Sequence, residues 1–363
     1  MKDLEKIRKN QGKRRKIALM LAILVFLPFL SSCNTEDKII VREHQGMHTT
    51  SFFAMDTLID ITINHRGYKK SLKDAFDLIM DYAYNFAAYE KTGDLADINK
   101  RTSDCLDISG DIKNQIEIAN FVSQLTKGAL DITIYPLVEA WGFPSKEFKV
   151  PRDEEIQELL SLVDYSKINL KEAISPRLCM PQDMKIDLGA LAKGYTGDMV
   201  ESLLKSQGAK GGLISLGGNI QVFGLKADKS LWRVGLQDPQ DEKELLGLFE
   251  ITDRAIVTSG SYQRNFIEND LFYHHILDPR TGYPADNELL SVTIVTKSGT
   301  YADALSTGLF VLGMEESLKI WKETQDFEAI FVTKDNLVYI TEGLKESFTS
   351  LSDLYEFIII PNN

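Results

Sequence analysis

Apolar positions along this chain switch between a period of two and a period near 3.6, and each switch marks an element. Met55, Thr57, Ile59, Ile61 and Ile63 alternate with other residues, which predicts a half-buried strand over 53–63. Leu72, Phe76, Ile79, Ala83 and Phe86 fall three or four apart and predict a helix. A second follows on Ile112, Ile116, Ala119, Val122 and Leu125, stopped by Gly128. Pro151 opens a third at Pro-Arg-Asp-Glu-Glu, acidic in the first turn where the helix dipole favours carboxylates, with Ile156, Leu159, Leu160 and Val163 on one face. Residues 185–187 read as a strand end that leads through Gly189 into a helix ending near Gly208. From 212 to 267, short apolar runs alternate with Gly, Asp-Pro and Thr-Ser-Gly punctuation, the pattern of antiparallel hairpins. A strand over 289–296, a helix over 300–312 and a hairpin over 329–341 turning at Asp335-Asn336 complete the series. Strands beside strands with helices between the groups predict an α+β fold of mixed, largely antiparallel sheets with packed helices, not a regular βαβ repeat. There is no internal repeat and no low-complexity tract.

The front of the chain follows other rules. Residues 1–16 carry eight Lys or Arg against Asp3 and Glu5, and 17–30 are an unbroken apolar run of fourteen. A bilayer span needs roughly 20 such residues, so the run reads as the core of a signal peptide. It ends in Leu30-Ser31-Ser32-Cys33, which resembles a bacterial lipobox. We therefore expect a signal peptide over 1–32, a lipidated Cys33, a polar tether over 33–50 holding His44 and His48, and one large domain over 51–363. The body is expected outside the cytoplasm, lipid-anchored to a bacterial cell membrane on the periplasmic side of the inner membrane. Without residues 1–32, 33 basic residues (41 less 8) face 51 acidic ones (53 less 2), a net charge of −18. Such a body repels polyanions, which argues against nucleic acid as a partner, and any phosphate must be gripped locally, through a metal. Beyond Cys33 only Cys105 and Cys179 remain, which allows at most one disulfide; the sequence leaves their pairing open.

Candidate chemistry concentrates late in the chain. Tyr273-His274-His275-Ile276-Leu277-Asp278-Pro279-Arg280-Thr281-Gly282 delivers histidines from an extended run into a turn, and Asp303 and Thr307 follow at i and i+4 on a predicted helix. That pair shares one helix face and offers a carboxylate and a hydroxyl, oxygen ligands suited to Mg²⁺. The plain alternative is a helix-start carboxylate and a core-facing threonine. His275 is the candidate general base; His274 points to the opposite face of an extended run, so one of the two is structural. At Lys185-Ile-Asp-Leu-Gly-Ala-Leu-Ala-Lys-Gly-Tyr-Thr-Gly-Asp198, the glycines 189, 194 and 197 allow close backbone approach to a ligand, a helix start offers N–H groups, and Lys193 adds a cation. Packing glycines and a solvated lysine would give the same string, which matches neither GxxxxGK[ST] nor GxGxxG. Asp131 either orients a base edge or ribose hydroxyl, or caps its own turn. Trp141-Gly142-Phe143 and Leu216-Gly217-Gly218-Asn219 read as packing and turns.

Taken in order, these blocks resemble the ApbE family of flavin transferases: Met55-Asp56-Thr57, the 89–99 stretch, GALDITIYPL at 128–137 with the following WGF, KIDLGALAKGY at 185–195, SLGGN at 215–219, TSGSY at 258–262, HILDPRTG at 275–282 and ADALSTGLFVLG at 302–313. The resemblance covers roughly 50–340 and implies a T-fold-like architecture and an FAD:protein FMN transferase. In that reaction Mg²⁺ sits at the FAD diphosphate, a Ser or Thr hydroxyl of an acceptor protein attacks the FMN-side phosphorus, and AMP leaves. By motif position the resemblance implies metal contacts at Ala190 (its carbonyl), Asp303 and Thr307. It implies FAD contacts at Met55, Tyr89, Ala129, Leu130, Asp131, Asp187, Lys193 and Ile276, and a base at His275. It implies acceptors among extracytoplasmic flavoprotein subunits of membrane redox complexes. Asp56, where many members carry a small residue, and Tyr89-Glu90-Lys91, in place of the commoner Tyr-Asp-Pro, depart from the family pattern. The rival readings are a Mg²⁺-dependent hydrolase splitting FAD into FMN and AMP, and a flavin-binding lipoprotein without turnover.

Overall fold

The computed structural model describes residues 39–171 and 174–362. The expected signal peptide and the lipidation of Cys33 lie outside the described residues. The first elements are β1 (Val41–His44), β2 (Met47–Ala54), β3 (Thr57–Ile63), α1 (Tyr68–Asn85) and α2 (Asp94–Asn99). Then come β4 (Cys105–Asp107), α3 (Gly110–Leu125), α4 (Tyr135–Ala140), α5 (Asp153–Leu160), β5 (Asn169–Lys171), β6 (Arg177–Cys179) and α6 (Ala192–Ser206). A strand-rich stretch follows: β7 (Gly211–Leu216), β8 (Asn219–Gly224), β9 (Trp232–Gln237), β10 (Leu245–Ile251), β11 (Arg254–Gly260), β12 (Asn265–Glu268), β13 (Leu271–His274) and β14 (Leu289–Thr296). The chain ends with α7 (Gly299–Leu312), α8 (Met314–Thr324), β15 (Glu328–Thr333), β16 (Leu337–Thr341), β17 (Phe348–Ser350) and β18 (Glu356–Ile360).

Ten strands form one sheet in the order β1-β2-β3-β7-β8-β11-β14-β15-β16-β18, antiparallel throughout except for the β16–β18 pair. Period two decides its faces. Ala255 and Val257 of β11, Val292 and Ile294 of β14, and Ala329 and Phe331 of β15 join the core with α3, α6, α7 and α8. The intervening Ile256, Val295 and Ile330 point the other way, into a second core under the three-stranded sheet β17-β10-β9. The fold is thus α+β in three layers, helices on the large sheet on a small sheet, and the expected class stands.

Three local expectations are corrected. The segment 41–50, expected as part of a tether, forms β1 and the first half of β2, paired from Val41↔Thr50 to His44↔Met47. Its side chains are mostly exposed, so it lacks the apolar alternation by which a strand is recognised. The predicted continuous strand over 53–63 is a hairpin corner: Met55 and Asp56, both at positive φ (51° and 59°), form a two-residue turn between β2 and β3. A two-residue loop pairs residue i with i+3, so the inward face passes from even positions on β2 (Thr50, Ala54) to odd positions on β3 (Ile59, Ile61, Ile63), and Met55 falls in the odd series only as a turn residue. Residues 185–187 are extended but belong to no sheet. The Asn99 side chain brackets Ile186, donating to its carbonyl and accepting from its N–H at 2.8 Å each, and Asp187 N–H donates to the Ile132 carbonyl at 2.7 Å. Cys105 and Cys179, cross-strand partners in the sheet β4-β6-β5, form a disulfide. Among the described residues no helix is long and apolar enough to cross a membrane.

Candidate active site

The site is built where α6 and α7 cross almost backbone to backbone. A Cβ on Gly194 would lie 2.5 Å from the Gly299 carbonyl carbon and 2.8 Å from Thr300 N, so only glycine permits this approach. Each helix then fastens the other. Asp198 of α6 accepts from Gly299 N (2.7 Å), Thr300 N (2.9 Å), Thr300 Oγ1 (2.6 Å) and Ser298 Oγ (3.0 Å), capping the start of α7. In return Asp303 of α7 accepts from Gly194 N at 2.9 Å. Two sequence expectations change here. Gly194 and Gly197 admit a neighbouring helix and the Gln221 side chain, not a ligand. The start of α6 is also not a free phosphate cradle, since Leu191 and Ala192 N–H groups donate to Leu188 O and Gly194 N–H is held by Asp303.

Asp303, 4% exposed, is the chemical centre of the crossing. Burial pushes its carboxyl above the ordinary range, opposed by Lys193, the Gly194 N–H and the Asn219 amide. Thr307 lies one turn on, its Oγ1 3.2 Å from Ser259 Oγ, which also meets Ser306 Oγ at 2.8 Å. Ala190 sits in the tight turn that Leu188 O closes, four residues before the Gly194 that Asp303 holds. The distant pieces 187–194 and 303–307 therefore converge. The donors are hard oxygens: one carboxylate, hydroxyls, main-chain carbonyls and a carboxamide, the set that suits Mg²⁺. Asn219, 1% exposed, leaves Oδ1 without a hydrogen-bond partner, while Nδ2 faces the Asp303 carboxylate from outside hydrogen-bond geometry, an expense that native interiors rarely carry unless another ligand completes the site. The residues present fit a divalent cation. Among the described residues no group of three or more His, Cys, Asp or Glu is placed to hold a metal ion.

The histidine question resolves by hydrogen bonding. His274 is buried, with Nε2 donating to Ala285 O at 3.0 Å and Nδ1 accepting from Ile276 N at 3.3 Å; it is the structural one. His275 lies partly exposed at the end of β13. Its main-chain N–H (3.0 Å) and Nδ1 (3.1 Å) both meet the Arg264 carbonyl, which only accepts, so Nδ1 carries the hydrogen and Nε2 keeps its lone pair. Burial of the ring's protein side, with Arg264 and Lys193 nearby, pushes its pKa down to about 3, so the imidazole is neutral at physiological pH. The following Asp278-Pro-Arg-Thr-Gly turn is internally fastened: Arg280 donates to both Asp278 carboxylate oxygens at 2.8 and 2.7 Å.

Asp187 joins the same patch. Burial raises its carboxyl, while the Gly189 and Leu188 N–H groups and the Arg264 and Lys193 charges oppose that rise. Arg264 also pairs with Asp56 at 3.6 Å across the Met55-Asp56 corner, and burial together with the Asp56 carboxylate raises the phenol of Tyr89, a residue 51% exposed. Asp187, His275 and Asp303 thus all feel the Lys193 charge, and Arg264 connects Asp187 and His275 to Asp56 and Tyr89. Ile276 is buried, held through its carbonyl by Ala285 N. Ala129 and Leu130 are buried, and Leu130 lies against Gly308, next to Thr307. Asp131 takes the capping alternative: its oxygens accept from Thr133 N (2.8 Å), Thr133 Oγ1 (2.6 Å) and Tyr165 N (2.9 Å), outside the patch's charge network. Sequence reasoning did not single out Arg264, Ser259 or the side chain of Asn219. The available signal was their position inside or next to TSGSY and SLGGN.

The model of the ApbE family matches residues 55–331. The FAD:protein FMN transferase of Klebsiella pneumoniae is 33% identical over 285 residues, covering 75% of this chain and 88% of its own length. That of Treponema pallidum is 30% identical over 289 residues, covering 76% and 80%. Among solved structures, the ApbE protein of Thermotoga maritima superposes with a TM-score of 0.78 at 28% identity, covering 83% of this chain and 99% of its own. The flavin transferase ApbE of Vibrio cholerae gives 0.75 at 29% identity, covering 85% and 100%. With its sheet order, its crossed helices and the spacing of its site residues set beside these matches, the chain belongs to the ApbE family.

Proposed function

We propose that this chain is an FAD:protein FMN transferase: it moves the FMN half of FAD onto a Ser or Thr hydroxyl of an acceptor flavoprotein and releases AMP. The observation that carries the reading is His275, neutral, with its hydrogen fixed on Nδ1 by the Arg264 carbonyl and Nε2 left as the accepting atom beside Lys193. In the proposed reaction Nε2 takes the acceptor hydroxyl's proton as its oxygen bonds to the FMN-side phosphorus. The bond from that phosphorus to the bridging oxygen breaks, and the oxygen departs with AMP. Lys193 and Arg264 would offset the diphosphate charge, and Tyr89 and Met55 would pack against the flavin ring. Asp303, Thr307 and the Ala190 carbonyl would hold Mg²⁺, which when bound neutralises charge on the diphosphate oxygens.

The names of the relatives support the flavin-transfer reading. The Cys105–Cys179 disulfide supports an oxidising, extracytoplasmic location, consistent with a lipid anchor at Cys33 and with acceptors in membrane redox complexes. The test is to incubate the mature protein with FAD, MgCl₂ and an acceptor domain, then to read flavin fluorescence on a denaturing gel. Fluorescence in the acceptor band with AMP in solution is expected. Free FMN and AMP with a dark band would identify a hydrolase, and intact FAD would identify a binding protein.

A further inference from the structure

We infer that Asn219 is an unassigned member of the divalent-cation site, its carboxamide held against Asp303 by β8 and completed by the ion's coordination sphere. The inference rests on the Mg²⁺ reading above and extends it to a residue that sequence motifs treat as a turn. The backbone at 219 has no freedom to move away. Asn219 pairs with Leu216 across the β7–β8 hairpin and with Val257 of β11. The turn before it, Gly217-Gly218, runs at positive φ (60° and 90°), and a Cβ on Gly217 would meet the Thr57 side chain within 2.7 Å. β8 therefore delivers the amide to one fixed place in the interior.

There its oxygen lacks a hydrogen-bonding partner and its nitrogen reaches only towards Asp303 without hydrogen-bond geometry, and among the described residues no other carboxamide has both ends buried and unpaired. Gln221, two residues on along the same face, differs: its Nε2 donates to Gly194 O at 2.9 Å and latches α6 to the sheet. A fully buried, unpaired amide is costly, and a leucine of similar size would fill the space without that cost. What sets this amide apart is its neighbourhood. It lies close enough to Asp303 to favour the ionised carboxylate, and Asp303 is in turn fixed by Gly194 N. One turn on along α7, Ser259 Oγ meets the Ser306 and Thr307 hydroxyls, and Ser306 Oγ donates to the Asp303 main-chain carbonyl. An oxygen-seeking cation beside Asp303 accounts for the unpaired Oδ1, and Nδ2 then steers the Asp303 carboxylate.

The experiment uses the mature, FAD-free protein, Mn²⁺ as the probe ion and two readouts, Mn²⁺ affinity by electron paramagnetic resonance and thermal unfolding with and without the ion. Asn219→Leu is expected to weaken Mn²⁺ binding by about 10- to 100-fold, as for residues that orient metal ligands. It is also expected to leave the metal-free melting temperature equal or higher. Asn219→Asp is expected to lower the metal-free melting temperature by placing a second carboxylate beside Asp303, and to show a larger ion-induced rise than the wild type. Wild-type Mn²⁺ affinity in the leucine variant, or an unchanged ion-induced rise in the aspartate variant, overturns the assignment of Asn219 alone. Failure of the wild-type protein itself to bind the ion overturns the Mg²⁺ reading along with it.

Discussion

Gly194→Ala sets two known effects against each other, and the structure decides between them. Alanine in a helix interior is favoured over glycine by about 1 kcal/mol. Against this, the new methyl would sit 2.5 and 2.8 Å from Gly299 and Thr300 backbone atoms, where ordinary contact begins near 3.4 Å, and backbone cannot swing aside as a side chain can. Driving α6 from α7 costs about 1–3 kcal/mol as overpacking. The same displacement stretches the 2.9 Å bond from Gly194 N to the Asp303 carboxylate, an interaction of a type that contributes about 1.5–3 kcal/mol. The net expectation is a loss of about 2–4 kcal/mol, measured by urea unfolding, together with weaker Mg²⁺ binding because Asp303 moves. Gly110→Ala is the control: a Cβ there meets nothing within 4 Å, so that variant should be neutral or slightly more stable. Equal behaviour of the two variants would refute the backbone contact on which the site's geometry rests.

Four further outcomes follow from the same structure. His275→Gln should lower FMN transfer by about 10²–10⁴-fold while FAD affinity, read by flavin fluorescence quenching, stays near wild type. Because the folded protein holds the His275 pKa near 3 against an ordinary 6.5, the unfolded chain binds the proton more readily. Wild-type stability should therefore fall as pH drops below about 6.5, and His275→Gln should lose that share of the dependence in urea midpoints taken between pH 7 and pH 5. Asp303→Asn removes a buried carboxylate whose pKa burial has raised, so metal-free stability at neutral pH should hold or increase while the Mg²⁺-induced rise in melting temperature disappears; a retained rise would exclude Asp303 as a ligand. Reducing Cys105–Cys179, which closes a separation of 74 residues, should cost about 4 kcal/mol by loop entropy; an unchanged urea midpoint with both thiols titrated free would contradict this.

What the sequence revealed follows the physics of local pattern. Leu289–Thr296, the helix after it and the turn at Asp335-Asn336 were legible because burial in a layered fold imposes a period, and Asn336 takes the positive φ (64°) that it tolerates well. Val41–His44 was not, since an exposed edge strand has no buried face to pattern. The corner at Met55-Asp56 was hidden because Met rarely takes a left-handed turn and Asp56, which tolerates one, stands without the Gly or Asn partner that marks a two-residue hairpin. The site shows the same division. Asp303, Thr307, Lys193 and His275 stand in recognisable strings. Gly194 has a meaning that exists only once α7 lies against it, Arg264 only once its carbonyl orients His275, and Asn219 only once its amide is seen to be buried and unpaired. The reverse error also occurred: the helix start at Ala192 looked like a phosphate cradle until Asp303 was found on its N–H.

The central claim is that a cation held where α6 meets α7 activates the FAD diphosphate within reach of His275. Anomalous diffraction from crystals of His275→Gln soaked with FAD and Mn²⁺ tests it most directly. The account predicts one strong Mn²⁺ peak about 2.2 Å from an Asp303 carboxylate oxygen, contacting Thr307, the Ala190 carbonyl and diphosphate oxygens, with residue 275 beside the FMN-side phosphorus. FAD bound with its diphosphate away from that crossing, or a Mn²⁺ peak elsewhere with Asp303 still bound only to Gly194, would contradict it.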